Sequence, residues 1–442
     1  MENIRKNYAV TAFCLLLFSG AVLLSFTSRQ GIINKPQASQ KCLIVSDIHF
    51  NPLYGASSTD TALKRKLETW SFAEWKQYFE SSPAQMTLDS TLLYQDATYA
   101  VLRSALYNMK KKLPHPAFII IAGDFIWHNA TTGDSILKKK TIQFIARLFK
   151  EHFPGALIIP AMGNNDTYGN DYALQDPKFL KDFAAAWEPN LPTPSADSLK
   201  AHGYYTCETG NLKVIVLNSA PLDSIYHLPQ PAGIMLNWLH NELANANGKN
   251  IWILMHIPPG LNGYNSLPMW DAGNAQTFVN DIVKYAPEVK FMVASHTHFN
   301  DFKVVYDNSR IPAPVSFMRI VPSICSNHGN YPSFEIAEIN STTYQVTGET
   351  NWFLNLKHPS NTKGTAEITW KDSVILPSSL KLGAINAGNF SKLINHIKAD
   401  KTGHMLKSYV NFYNVGTPFD SAATINRSNY SNYMRADSLK GK

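Results

Sequence analysis

The sequence predicts an α/β fold, and three observations carry that reading. Short apolar runs rich in branched residues alternate with helix-spaced segments between residues 41 and 298, the pattern of parallel βαβ units. Five of those runs stop at Asp, Asn or His residues, the groups that do chemistry at strand ends. Segments 301–307, 314–321 and 333–339 then follow without helices between them, which reads as antiparallel strands of a mixed second sheet.

Taken in order, the chain opens with Arg5 and Lys6 before an apolar stretch from Tyr8 to Phe26, broken by Thr11, Ser19, Gly20 and Ser25. A basic flank followed by an apolar run is the composition of a secretory signal peptide. The run is also nearly long enough for an uncleaved membrane anchor. Residues 1–27 are therefore read as one or the other, and the protein as secreted or periplasmic, with any membrane contact made through this segment. Residues 28–40, with Gly31 and Pro36, read as a linker, 41–348 as the main domain and 349–442 as an extension.

The first strand is Leu43–Val45, followed by Asp47 and His49. Residues two apart on an extended chain point the same way, so this carboxylate and imidazole would face one spot beyond the strand. Tyr54 to Ser90 is polar and aromatic without strand character and reads as an insertion over the site. Thr91–Lys112 has helical spacing and a basic end. Phe118–Ala122 is the second strand, closed by Gly123 and Asp124. A helix over Lys138–Phe153 leads to strand Ala156–Ala161, closed by Gly163, Asn164, Asn165 and Asp166. Shorter strands follow at Tyr204–Glu208 and Lys213–Leu217. Helix Ile234–Leu243 precedes strand Ile251–Met255 and His256. Helix Ala275–Tyr285 precedes strand Lys290–Ala294 and then Ser295, His296, Thr297 and His298. Beyond about residue 350 the chain turns polar and reads as a helical or irregular appendage.

Composition narrows the function. With 442 residues, 45% of them hydrophobic and 12% aromatic, the chain has enough apolar material for a large core. Lysine and arginine number 40 against 33 acids, a net +7. The excess is mild and unclustered, which suits small anionic substrates and argues against a nucleic-acid polymer as partner. Nothing in the sequence specifies an oligomer. Cys14 lies in the apolar run; Cys42, Cys207 and Cys325 cannot all pair, so no disulfide framework is implied and only a single Cys207–Cys325 bridge is left open.

The strand ends together offer Asp47, His49, Asp124, Asn164, His256, His296 and His298. This mixed nitrogen and oxygen set suits borderline divalent ions such as zinc, manganese or iron(II). Seven donors are too many for one tetrahedral ion and match two ions sharing a carboxylate. Such a pair clamps a phosphoryl group and supplies a hydroxide that attacks phosphorus in line. A structural zinc finger is excluded by the lack of thiolate pairs.

The order of these motifs resembles that of the calcineurin-like metallophosphoesterases: Asp-x-His, Gly-Asp, Gly-Asn-His, His and Gly-His-x-His. Within that family the chain is similar to the acid sphingomyelinase and sphingomyelinase-like phosphodiesterase branch. The branch resemblance lies in Asp47–Tyr54, Gly123–His128, Met255–Gly260, Ser295–Phe302 and Val321–Ile324 with Tyr331–Phe334. It implies a two-sheet αββα sandwich with a C-terminal helical or irregular extension, and hydrolysis of phosphodiesters by two divalent ions, zinc in this branch. One ion would be held by Asp47, His49 and His298, the other by Asn164, His256 and His296, with Asp124 bridging. The substrate would be a small phosphorylated molecule, of nucleotide type or a phospholipid head group. Only residues 27–40 separate the apolar segment from the first strand; the extra N-terminal lipid-binding domain of the lipid-cleaving relative is thus not expected, which favours soluble substrates.

Two positions depart from the family pattern. Asn165 stands where the family has a histidine that contacts phosphate and protonates the leaving alkoxide. An amide donates a hydrogen bond but delivers no proton near neutral pH. The resemblance makes His128 the replacement acid. The alternative is a weak or inactive metal protein that binds phosphorylated ligands. The second departure, Ser295 for glycine, adds a side chain near the site. Asp166 is read as support for its loop.

Overall fold

The computed structural model describes residues 39–57, 60–225, 228–263, 267–358, 368 and 370–417. The expected signal peptide or anchor and residues 28–38 of the linker lie outside them. No described helix is long and apolar enough to cross a membrane.

Among the described residues, twelve strands build two six-stranded sheets. The first has the order β12-β11-β10-β1-β2-β3, with β1 Ser39–Val45, β2 Ile119–Ile121, β3 Ile158–Pro160, β10 Ser333–Asn340, β11 Val346–Phe353 and β12 Lys371–Leu376. The second has the order β4-β5-β6-β7-β9-β8, with β4 Tyr205–Thr209, β5 Leu212–Val216, β6 Asn250–Leu254, β7 Val289–Ala294, β8 Asp301–Tyr306 and β9 Pro314–Ile320. Strands β1, β2 and β3 run parallel, as do β5, β6, β7 and β9. Their carboxyl ends therefore gather the site loops at one edge of each sheet.

Side-chain alternation explains why the sheets stack. Val214, Val216, Trp252, Leu254, Phe291 and Val293 belong to one buried cluster with Ile44, Phe118 and Ile120 of the first sheet. Their neighbours Ile215, Ile253 and Met292 face the other way, into a second cluster with Leu239 and Phe278. A period of two on a pleated strand forces this split. Phe118 meets Trp252 edge-on at 5.5 Å across the two sheets.

Ten helices complete the described residues: α1 Thr61–Thr69, α2 Phe72–Ser81, α3 Tyr99–Lys112, α4 Ser135–His152, α5 Pro177–Trp187, α6 Thr193–His202, α7 Pro229–Ala244, α8 Ala272–Lys284, α9 Ala387–Ala399 and α10 His404–Asn414. Leu239 of α7 and Phe278 of α8 cover the outer face of the second sheet. α3 lies against β10 on the first, tied by Trp370 Nε1 donating to Ser104 Oγ at 2.8 Å. This is the expected αββα layering.

Several elements correct the sequence reading. The helix expected from Thr91 begins at Tyr99, because the Thr98 side chain caps it by accepting from Val101 N–H. The described residues of 54–90 do not line the site cavity. They contain α1 and α2, the latter started by a Ser71–Glu74 capping box, and Trp75 and Phe79 pack on Phe144 of α4. Helices α5 and α6 were not foreseen, although Asp176 before Pro177 is a start signal. The run of late strands is divided: β8 and β9 join the second sheet, while β10 pairs antiparallel with β1 in the first.

The expected boundary at 348/349 falls inside β11, and the described residues of the extension pack into the fold. β11 and β12 pair with each other and β11 with β10. Phe390 of α9 stacks on Phe302 at 4.3 Å. Tyr409 of α10 donates to Asp301 Oδ1 at 2.5 Å. Cys42, Cys207 and Cys325 are buried free thiols, so the Cys207–Cys325 bridge is absent.

Candidate metal centre

The exits of adjacent strands stay joined beyond the sheets. Asp47 N–H donates to Gly123 O and His49 N–H to Asp124 O, both at 3.0 Å. Ser295 N–H donates to His256 O at 2.9 Å. His256 Nδ1 and Ser295 Oγ both bond Ala122 O, at 2.7 and 2.8 Å, tying the second sheet's exits to β2 of the first. Ser295 thus uses its extra hydroxyl to hold this junction, 2.9 Å from His256 Nδ1.

Asp47, His49, Asp124, His296 and His298 all have positive φ, between 39° and 72°. The sequence reading had Asp47 and His49 converge through extended alternation. Instead, left-handed residues turn the chain at the exits of β1, β2 and β7. Such conformations cost about 1–3 kcal/mol each outside glycine and cluster at functional sites. Gly163 is required by space: a Cβ there would lie 2.0 Å from Asp124 Oδ1.

All seven expected donors meet. Asp124 Oδ2 lies 3.4 Å from His49 Nε2 and 3.1 Å from His256 Nε2. Asp47 Oδ1 is 3.4 Å from His298 Nε2 and 3.9 Å from His49 Nε2. Asn164 Oδ1 is 3.0 Å from His256 Nε2. His296 offers a nitrogen within 4.8 Å of both His256 and Asp124, and Tyr172 Oη stands 3.3 Å from its Nε2.

The surrounding bonds orient these donors. His49 Nδ1 faces Ile126 O at 2.8 Å, and His298 Nδ1 faces Cys325 Sγ at 3.4 Å, leaving each Nε2 toward the centre. Asn164 Nδ2 donates to Asp171 Oδ1 at 2.7 Å, which turns its oxygen inward. The Asn165 backbone N–H donates to Asp124 Oδ1 at 2.9 Å. Asp166 accepts from Gly163, Asp124 and Phe125 N–H, the loop-supporting role expected of it.

The electrostatics fit cations. Burial, then neighbouring imidazoles, pulls His49 and His298 well below the ordinary imidazole value and His296 down to about 3. These rings are neutral, the form that ligates metal. Burial would raise Asp124, but His256, itself pushed up to about 9 by Asp124, outweighs it and holds the carboxylate well below its usual range. Asp47 Oδ1 and His49 Nε2 are buried without a hydrogen-bond partner. Orphaned polar atoms are costly, and a divalent cation between them would satisfy both.

His128 and Asn165 both line the cavity beside this cluster, which measures about 230 Å³. The His128 ring stacks on His49 at 3.9 Å. Its Nδ1 meets Asp96 Oδ1 at 2.6 Å and its backbone N–H reaches Asp96 Oδ2 at 3.2 Å. Burial would lower His128; Asp96 outweighs it and holds the imidazole above its ordinary value. Asp96, Asp171, Tyr172 and Cys325 were not singled out as site residues from sequence. Cys325 was weighed only as a disulfide partner, and the other three carry no motif.

Comparison with known proteins agrees with this geometry. The calcineurin-like phosphoesterase family model matches residues 41–300. Sphingomyelinase phosphodiesterase C of Dictyostelium discoideum is 26% identical over 378 residues, covering 80% of each chain. Acid sphingomyelinase-like phosphodiesterase 3b of Mus musculus is 24% identical, covering 84% of this chain and 82% of that one. Cyclic GMP-AMP phosphodiesterase SMPDL3A of Homo sapiens is 23% identical, covering 92% and 91%.

Proposed function

The chain belongs to the calcineurin-like phosphoesterase family, and from that premise we propose that it is a secreted or periplasmic dinuclear-metal phosphodiesterase. The observation that carries this reading is the position of Asp124 Oδ2, 3.4 and 3.1 Å from imidazole nitrogens of the two donor groups. Asp47, His49 and His298 would hold one ion and Asn164, His256 and His296 the other. Zinc is the proposed ion, since four imidazoles dominate the donor set; manganese and iron(II) accept the same donors. When bound, such ions supply Lewis acidity toward a phosphoryl group and hydroxide at neutral pH. Export from the cytosol rests on the basic and apolar residues 5–26.

The chain's own residues do the remaining work. Asp96 accepts from His128 Nδ1 and favours the protonated ring, whose other N–H then donates to the leaving oxygen. The Asn165 amide faces the same cavity and donates a hydrogen bond to the phosphoryl group. A second cavity of about 330 Å³ shares His128, Asn165 and Asp171 with the first and adds Asn129, Lys138 and Asn170. Trp127 and Ala130 complete a mixed lining, whose amides and lysine support a hydrogen-bonding alcohol, as in a nucleotide ester. Relatives named for sphingomyelin and for cyclic GMP-AMP keep a phospholipid head group as the second substrate class.

Asn165 favours a second reading, a phosphoryl-binding protein without turnover. Zinc- or manganese-loaded protein offered bis(p-nitrophenyl) phosphate and ATP separates the two. Release of nitrophenol or phosphate above an Asp124→Ala control supports the enzyme; equal release supports the binder.

A further inference from the structure

We propose that His328 is a substrate-binding residue of this site, donating a ring N–H to a phosphoryl oxygen of the bound ester. The inference rests on reading the cavity as a phosphoester site, and it concerns a residue outside both donor groups.

The argument begins with the loop that follows β9. Its backbone is stitched to the strand exits that carry the metal donors. Val321 N–H donates to Ala294 O at 2.9 Å and Ser323 N–H to His298 O at 3.2 Å. Ile324 N–H donates to Ser46 O and Cys325 N–H to Asp47 O, both at 3.0 Å. Asn330 Nδ2 closes the loop across its base, reaching Ser323 Oγ at 2.8 Å and Cys325 O at 2.9 Å. Gly329 completes the turn at φ +76°, where a Cβ would lie 2.6 Å from the Tyr94 ring. A segment tied at so many points holds its tip in a defined place.

Two residues at that tip reach two imidazoles. The Asn327 amide lies 2.7 Å from His128 Nδ1. The His328 ring stands edge-on to His298, 4.4 Å between centroids and 76° between planes. His328 also lines the cavity that contains Asp124, Asn164, Asn165 and His296. It is exposed, and no hydrogen bond joins its ring nitrogens to another described residue. A polar ring fixed by packing, open to the cavity and free to donate has the properties of a ligand contact. Asn165 lines the same wall with an amide, and His328 adds an imidazole to it from a different loop. A neutral ring carries one N–H, so the contact needs no change of protonation.

The test uses the full, metal-loaded chain and two variants, His328→Ala and His328→Asn, the latter keeping an amide donor. Orthovanadate affinity by calorimetry, KM and kcat for bis(p-nitrophenyl) phosphate, and metal content by mass spectrometry are measured on each. The expected result is unchanged metal content, orthovanadate affinity down about tenfold or more in His328→Ala, as for loss of a hydrogen bond to a charged group, a raised KM, and partial recovery in His328→Asn. Wild-type affinity in His328→Ala would overturn the proposal. So would metal loss that accounts for the weakened binding, because the ring would then only brace His298. A wild type that binds orthovanadate but turns over no ester sinks the enzymatic reading alone, while the variants still decide the contact.

Discussion

Asp96 grips His128 at two points, the ring Nδ1 at 2.6 Å and the backbone N–H at 3.2 Å. This fixes which ring nitrogen remains for chemistry. With His128 as proton donor, His128→Ala should lower turnover of alkyl phosphodiesters by about 10²–10⁴-fold. Nitrophenyl esters, whose leaving group needs no proton, should lose far less. Asp96→Asn should show the same selectivity with a smaller loss. Leaving-group series on the variants check this, and equal losses for both ester types would remove His128 from the acid role.

Gly163 leaves room for the Asp124 carboxylate and nothing more. Gly163→Ala should push Asp124 off its position between the two imidazole groups. The expected outcome is a folded protein by circular dichroism with at least one metal ion lost. Full metal content and wild-type turnover would show that the loop relaxes without moving Asp124.

Arg319 is fully buried between the sheets, where its Nε donates to Glu349 Oε2 at 2.7 Å and its Nη2 lies 3.6 Å from Glu335 Oε2. Its guanidinium also bonds Asn300 Oδ1 and Asp301 O. Removing one partner of a buried ion pair strands the others and typically costs about 3–5 kcal/mol. Arg319→Ala should lose stability of that order in urea titrations. A loss under about 1 kcal/mol would mean that the network contributes no more than an exposed ion pair.

The same network gives a pH dependence. Burial, then Glu349, pushes Glu335 up to about 8, against the pull of Arg319. An unfolded glutamate titrates near its ordinary value, so between roughly pH 4.5 and 8 the folded chain holds the extra proton. Stability from this group is therefore highest at the acid end of that window and falls as pH rises through it. Glu335→Gln, which mimics the protonated form, should remove this component and raise Tm at pH 8 relative to pH 5 when both are compared with wild type. A variant whose Tm tracks wild type at both pH values would contradict the assignment.

The proposed metal donors were legible because each ends a short apolar strand, and strand periodicity is local information. β1, β2, β3, β6 and β7 were all placed by it. β11 was missed because Glu349 and Asn351 point inward, reversing the polarity expected of a buried strand; the partner of Glu349 is Arg319 on β9, about thirty residues earlier, and that of Asn351 is Asn300, just before β8. Asp96, Asp171 and His328 were missed for a related reason. Each is a single polar residue in a loop, and only tertiary hydrogen bonds or ring packing bring it to the site. The left-handed turns at Asp47 and His49 were also invisible, since Asp and His adopt a positive φ more often than other side chains but still in a minority of cases.

Counting the metal ions per chain tests the central claim most directly. After zinc loading and exhaustive dialysis, inductively coupled plasma mass spectrometry should find two ions per wild-type chain, and one or fewer after Asp124→Ala. A wild-type count of one or none, or two ions retained equally by Asp124→Ala, would contradict a dinuclear centre built around Asp124.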